Sequence, residues 1–115
     1  MKGILATTLV EAELGCTEQL ARFFADVRSA SVQALLTLSR PGSVVVREAI
    51  VIEFASAEKA IFTSRLPLEF DDRLHLEDDR GCGVEGQVIA VQYHDGKTAV
   101  AVEFLNGPFF WVKRP

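Results

Sequence analysis

The sequence predicts a mainly β protein: a small six-stranded antiparallel barrel with an N-terminal helix. Three observations carry this expectation. Between residues 31 and 105, about six short apolar runs are separated by turn-forming clusters, the punctuation of short strands. Asp95-Gly96 separates two apolar-alternating runs, 84–93 and 98–105, which is a strong signal for a tight hairpin. Only one stretch, at about 17–28, carries large apolar groups at helical spacing. Closure into a barrel is favoured because a sheet of so few strands would otherwise present two exposed edges.

Length and composition bound the rest. A chain of 115 residues and 12.6 kDa is the size of one domain, able to bury roughly two-thirds of its unfolded surface without metal or disulfide staples. Apolar residues make up 49 % and charged residues 24 %, the balance of a folded globular chain. Twelve basic residues against 16 acidic ones give a net charge of −4. That argues against a nucleic-acid binder or a basic membrane-surface protein, both of which need positive charge to meet phosphates. No apolar run approaches the ~20 residues of a membrane helix. Cys16 and Cys82 lie far apart with no CxxC and no neighbouring metal ligand. They read as two buried thiols in a reducing cytoplasm, with a single disulfide as the alternative.

In order along the chain, the apolar stretch 3–10 is too short for a secretory leader and is followed at once by Glu11 and Glu13. Residues 1–14 alternate as a strand would, and a short helix is the alternative. Thr17 is positioned to cap a helix. Leu20, Phe23, Phe24 and Val27 follow at i, i+3, i+4 and i+7, placing four large groups on one stripe of a helix over about 17–28. That stripe must dock on the rest of the chain or mediate self-association. Residues 31–38 place Val32, Ala34, Leu36 and Leu38 on one face of a strand. Continuation of the helix is the competing reading, disfavoured by the β-branched and serine residues there. Pro41-Gly42 makes a turn. Residues 44–54 are rich in β-branched residues and place Val44, Val46, Ile50, Ile52 and Phe54 on one face, with Arg47 and Glu53 on the other. Further strands are expected at 60–64, 73–77, 84–93 and 98–105, with a corner at Leu66-Pro67-Leu68. Phe109-Phe110-Trp111-Val112 forms an apolar tail after Asn106-Gly107-Pro108. The organisation is thus 1–30, a segment with the amphipathic helix, and 31–115, a barrel with an aromatic C-terminal tail.

Four pieces in order resemble the PilZ domain. They are Ala60-Ile61-Phe62-Thr63-Ser64-Arg65-Leu66-Pro67-Leu68, then Asp72-Arg73-Leu74-His75-Leu76, then Gly86-Gln87-Val88-Ile89-Ala90-Val91, and Val100-Ala101-Val102-Glu103-Phe104-Leu105. They match, across about residues 30–106, that family's strand before an "xPL" corner, its "GdxLxL" and "GxV" strands and its closing "VGVEFL" strand. The resemblance implies a PilZ-like six-stranded barrel and, in many members, binding of cyclic di-GMP. That binding uses an RxxxR pair before the first barrel strand and a D/N-x-S-x-x-G motif after the second. Guanidiniums meet the phosphates and stack on guanine, while the polar motif hydrogen-bonds the base. This chain departs from both motifs. No RxxxR is present: Arg22 and Arg28 are six apart, Arg40 and Arg47 seven. At the second motif only Ser56 matches, with Phe54 for the acid or amide and Lys59 for the glycine. The resemblance then implies a divergent member that lacks a working dinucleotide site and acts as a protein-binding adaptor in bacterial signalling.

The candidate ligand-binding residues are Arg28, Arg40, Arg47 and Ser56. Their competing readings are surface arginines, with Arg47 paired across strands to an acid, and an ordinary turn serine. The candidate partner-binding residues are Phe109, Phe110 and Trp111, because three consecutive rings cannot all face inward. With the helix stripe they point to a protein partner or to self-association as a homodimer. Cyclic di-GMP, held by atypically placed arginines, is a disfavoured alternative ligand. No nucleic acid, membrane, cofactor or metal is expected. The acids Glu69, Asp71, Asp72, Glu77, Asp78 and Asp79 lack the register of a calcium loop. They read as a solvated loop that repels a dianionic nucleotide. His75 and His94 stand in no nucleophile–base arrangement, and no phosphate loop is present, so the chain reads as non-enzymatic.

Overall fold

The computed structural model describes residues 17–94, 96–109 and 111. Six strands form the fold: β1 (Arg28–Leu38), β2 (Val46–Ala55), β3 (Lys59–Ser64), β4 (Arg73–Asp78), β5 (Gly83–His94) and β6 (Lys97–Phe104). They close into an antiparallel barrel in the order β1-β2-β3-β6-β5-β4. The expected mainly β, six-stranded antiparallel barrel is therefore the architecture observed.

Each strand contributes one period-two face to a single core. Ala34, Leu36 and Leu38 meet Ile50 and Ile52, Ala60 and Phe62, Leu74 and Leu76, Val84 and Val88, and Val100, Val102 and Phe104. Leu68, from the corner after β3, is fully buried in the same core. Two glycines serve the barrel for different reasons. Gly96 adopts φ 81° in the β5–β6 hairpin, a conformation that favours glycine. Gly86 lies where β5 and β6 approach so closely that a Cβ would overlap a γ-carbon of Val102.

The helix is shorter than the sequence spacing predicts. Helical structure covers 17–21 and then gives way to turns up to Asp26, held by i→i+3 bonds such as Phe23 N–H to the Leu20 carbonyl at 3.1 Å and Phe24 N–H to Ala21 at 3.0 Å. Tightening from 3.6 to three residues per turn rotates the stripe. Leu20 is buried and Phe24 and Val27 are half-buried, but Phe23 is 77 % exposed. Residues 22–27 form the turn that leads into β1, which begins at Arg28, three residues before the expected strand, with Arg28 and Ser29 already paired with Ala55 and Phe54. Thr17 is itself helical, and its hydroxyl donates to Glu53 Oε1 at 2.5 Å instead of capping the first turn.

This N-terminal segment covers part of the barrel's outer wall. Leu20, Ala21, Phe24 and Val27 pack with Ile61, Ala99, Ala101, Ile89, Ala90 and Phe54 in a second apolar cluster. The small Ala99 and Ala101 allow the segment to lie close. Phe54 belongs to this outer cluster and not to the face of Ile50 and Ile52, because an irregularity between Ile52 and Phe54 reverses the alternation. β2 also begins later than expected, so Val44 lies outside it, 83 % exposed. Among the described residues, no helix is long and apolar enough to cross a membrane. Cys82, expected to be buried, is an exposed free thiol, because it lies in the turn between β4 and β5. The expectations for residues 1–14, Cys16 and Phe110 fall outside the described residues.

Candidate functional site

The candidate arginines do not converge. Arg28 opens β1 opposite Ala55 and so neighbours Ser56 at one end of the barrel. Arg47 pairs with Thr37 near the other end of the same ladder. The run of β1 between Arg28 and Thr37, at roughly 3.3 Å per residue, holds the two arginines roughly 30 Å apart. Arg28 is exposed, and its guanidinium reaches the Val27 carbonyl at 3.5 Å. Arg47 is exposed on the outer face of β2.

Arg40 is a structural clamp. Its Nε and Nη2 donate to the two Asp72 carboxylate oxygens at 3.1 and 2.6 Å, and Nη2 also donates to the Pro67 carbonyl at 2.7 Å. This fork fastens the end of β1 to the β3–β4 connection. The Arg40 guanidinium, with a further bond from the Glu69 backbone N–H, holds the Asp72 carboxyl below the usual carboxylate range. Ser56 closes the β2–β3 turn: its Oγ accepts from the backbone N–H groups of Glu58 and Lys59 at 3.1 and 3.0 Å. Nearby, Lys59 pairs with Asp26 at 3.2 Å and lies over the Phe24 ring.

The aromatic tail is a plug. Trp111 is 5 % exposed within the barrel core, and Phe109 packs against the same core. Their rings meet edge-on at 4.5 Å, and Trp111 lies 5.9 Å from Phe104. The Phe109 N–H donates to the Ala57 carbonyl at 2.8 Å, tying the tail to the β2–β3 turn. Trp111 and Phe109 therefore face inward, and three of the four stripe residues, Leu20, Phe24 and Val27, are covered by the chain's own outer wall, with Phe23 left exposed.

The acids separate into structural and exposed sets. Asp78 is buried at the end of β4. Burial pushes its carboxyl up, but bonds from the Arg80 side chain at 2.5 and 2.9 Å and from the backbone N–H groups of Arg80 and Cys82 outweigh it and hold the group below the usual range. His75 Nδ1 meets Glu85 Oε2 at 2.6 Å on the barrel exterior. No group of three metal-ligating side chains occurs among the described residues.

The concave feature of the wall lies elsewhere. A groove of about 820 Å³ crosses the barrel over β4, β1, β2 and β3 to Lys97 at the start of β6. Its floor is formed by the outward-facing Gln33, Leu35, Ala49 and Val51, in register as the pairs Leu35–Ala49 and Gln33–Val51. Leu35 is 38 % and Val51 43 % exposed. Glu77 stands opposite Leu35 at the β4 margin beside Asp79, and Arg65 and Lys97 stand at the far margin. Glu53, bonded to Thr17, also lines it, so the N-terminal segment borders the groove. Sequence reasoning overlooked this face. Its signal was present in Leu35-Leu36 and Ile50-Val51-Ile52, where consecutive apolar residues must supply both faces of a strand.

No family model matches the chain, and no curated protein matches it.

Proposed function

We propose that this chain is a non-enzymatic, PilZ-like binding module, an adaptor in bacterial signalling that works through protein contacts and has no working cyclic di-GMP site. The observation that carries the reading is the open groove with its apolar floor of Leu35, Ala49 and Val51. A barrel core does not require apolar side chains on the outer wall, and contiguous exposed ones mark interaction surfaces. The dispersal of the arginines supports the second half. Arg28 and Arg47 sit at opposite ends of β1–β2, and the Arg40 fork is occupied by Asp72 and Pro67. A dinucleotide would have to displace that clamp.

Titration calorimetry with cyclic di-GMP at about 100 μM protein tests the reading. No saturable heat is expected. A dissociation constant of ~10 μM or tighter, lost in Arg28→Ala or Arg47→Ala, overturns it in favour of a dinucleotide receptor built from unfamiliar arginines.

A further inference from the structure

We infer that residues 3–10 of this same chain are the occupant of the groove: a tethered segment that lies across Val51, Ala49 and Leu35 and shields them until a partner displaces it. The inference rests on the protein-binding reading above for its surface and names what holds that surface closed.

The chain approaches the groove at a fixed point. The Thr17 hydroxyl donates to Glu53 Oε1, and Glu53 lines the groove. Sixteen residues precede Thr17. Val51 lies two residues along β2 from Glu53 and Ala49 four, roughly 7 and 13 Å. Residues 11–16 span at most ~20 Å, which brings 3–10 within reach of the floor. So short a tether sets the segment's effective concentration there in the millimolar range.

The segment matches the floor in chemistry. Residues 3–10 carry no charge, and Ile4, Leu5, Leu9 and Val10 supply large apolar side chains. Laid over the exposed Leu35 and Val51, they take apolar surface out of water without desolvating a charge. The neighbouring wall is already covered in this way, by Leu20, Phe24 and Val27 on Ile61, Ala99 and Ala101, and 3–10 extend that layer over β2 and β1. From β3 through β2 and β1 to β4 is three inter-strand spacings, roughly 14 Å along the curved wall. Eight extended residues reach ~26 Å and can follow that curve.

Charge sets the direction. Arg65 and Lys97 stand at the β3–β6 margin, and Glu77 and Asp79 at the β4 margin. Asp78 and Glu48 take no part, because Arg80 holds the first, and the Ser64 hydroxyl and Arg65 N–H hold the second. In sequence, Lys2 stands on one side of the neutral stretch and Glu11 and Glu13 on the other. Arg65 lies beside Glu48, five residues of β2 and roughly 17 Å from Glu53, a distance that residues 11–16 can span. Glu11 and Glu13 therefore belong at the basic margin and Lys2 at the acidic one. The opposite direction sets like charges against each other at both.

Paramagnetic relaxation on the full chain reads the contact. A nitroxide is attached at Thr7→Cys in a Cys16→Ser/Cys82→Ser background whose folding is checked by circular dichroism. Amide signals at 33–35 and 49–51 should broaden, and those at 85–87 on β5, across the barrel, should not. Leu5→Lys/Leu9→Lys should weaken the effect at least tenfold, and so should Leu35→Ser/Val51→Ser. Lys2→Glu should weaken it as well, and Glu77→Lys/Asp79→Lys should restore it in the Lys2→Glu chain. Absence of broadening at the floor, indifference to either apolar double variant, or no restoration by charge reversal overturns the assignment. So does broadening that appears when labelled chain is mixed with isotope-enriched unlabelled chain, which places the segment on a second molecule. A failed cover leaves the groove open and the adaptor reading standing, and that reading is decided by the dinucleotide titration.

Discussion

Replacing Trp111 with alanine tests whether the C-terminal tail belongs to the barrel. The indole is 5 % exposed, with its ring centroid 4.5 Å from that of Phe109, edge-on, and 5.9 Å from that of Phe104, tilted. Truncating a buried tryptophan costs about 3–5 kcal/mol. One feature lowers that figure: Nε1 is buried with no hydrogen-bond partner among the described residues, and removing such an orphan returns about 1–3 kcal/mol. Taking the middle of each range, about 4 less about 2, the net loss is about 2 kcal/mol, against a total stability of roughly 6–17 kcal/mol for a chain of this length, so the variant still folds. In urea, with a slope of roughly 1.5 kcal/mol per molar, the midpoint followed by circular dichroism should fall by roughly 1.3 M. Trp111→Phe keeps a ring and discards the orphan, and should stay within about 1.5 kcal/mol of the parent. Trp111 is the only tryptophan, so its fluorescence should red-shift in the same transition that circular dichroism reports. An alanine variant within about 0.5 kcal/mol of the parent would refute the plug and return the tail to the surface.

Other parts of the structure make equally specific demands. Gly86→Ala should destabilise by about 1–3 kcal/mol in the same urea assay, because the new methyl meets the buried Val102 and the Glu103 carbonyl oxygen. Leu20→Ala should cost about 2–4 kcal/mol, whereas Phe23→Ser should change stability by less than about 0.5 kcal/mol, since Leu20 is buried and Phe23 exposed. The reverse order would restore a full helical stripe. Asp72 and Asp78 hold carboxyls below their ordinary value, so the folded state binds fewer protons than the unfolded chain as acid is added. Their contribution is present above pH ~4 and is lost as pH falls through the depressed folded values. Thermal melts between pH ~2.5 and ~6 should show this acid limb, and Asp72→Asn or Asp78→Asn should flatten it; limbs as steep as the parent's would contradict the clamps.

The barrel was legible because its strands are locally self-consistent. Ala34, Leu36 and Leu38, or Val100, Val102 and Phe104, repeat with period two between turn signals, and Asp95-Gly96 announces the hairpin that aligns β5 with β6. What escaped the sequence depends on partners far along the chain. Leu20, Phe23, Phe24 and Val27 satisfy a helical template, but the chain leaves the helix after Ala21 through i→i+3 turns on its way to β1, and Phe23 faces outward. Phe54 continues the alternation of Ile50 and Ile52 in sequence, yet one irregularity in the β2–β3 ladder puts it under the N-terminal segment. The arginines were visible as residues but not as a geometry: nothing local in Arg40 foretells Asp72, 32 residues away.

The distribution of apolar side chains over the outer wall separates what folding needs from what it leaves over. Ile61, Ala99 and Ala101 face outward and are buried, because Leu20, Phe24 and Val27 lie on them. Leu35, Ala49 and Val51 also face outward, and among the described residues no second layer covers them. Polar β-formers such as threonine at those three positions would keep the strands, the register and the inner face of Ala34, Leu36, Ile50 and Ile52 unchanged. Stability therefore does not account for their apolar character, and exposure of such a patch carries an aggregation risk. Beside that patch stand Glu77 and Asp79 on one margin and Arg65 and Lys97 on the other, which keep the groove's margins hydrated. An apolar surface that folding of the barrel does not require, left uncovered by the described residues between charged margins, has the chemistry of a contact surface.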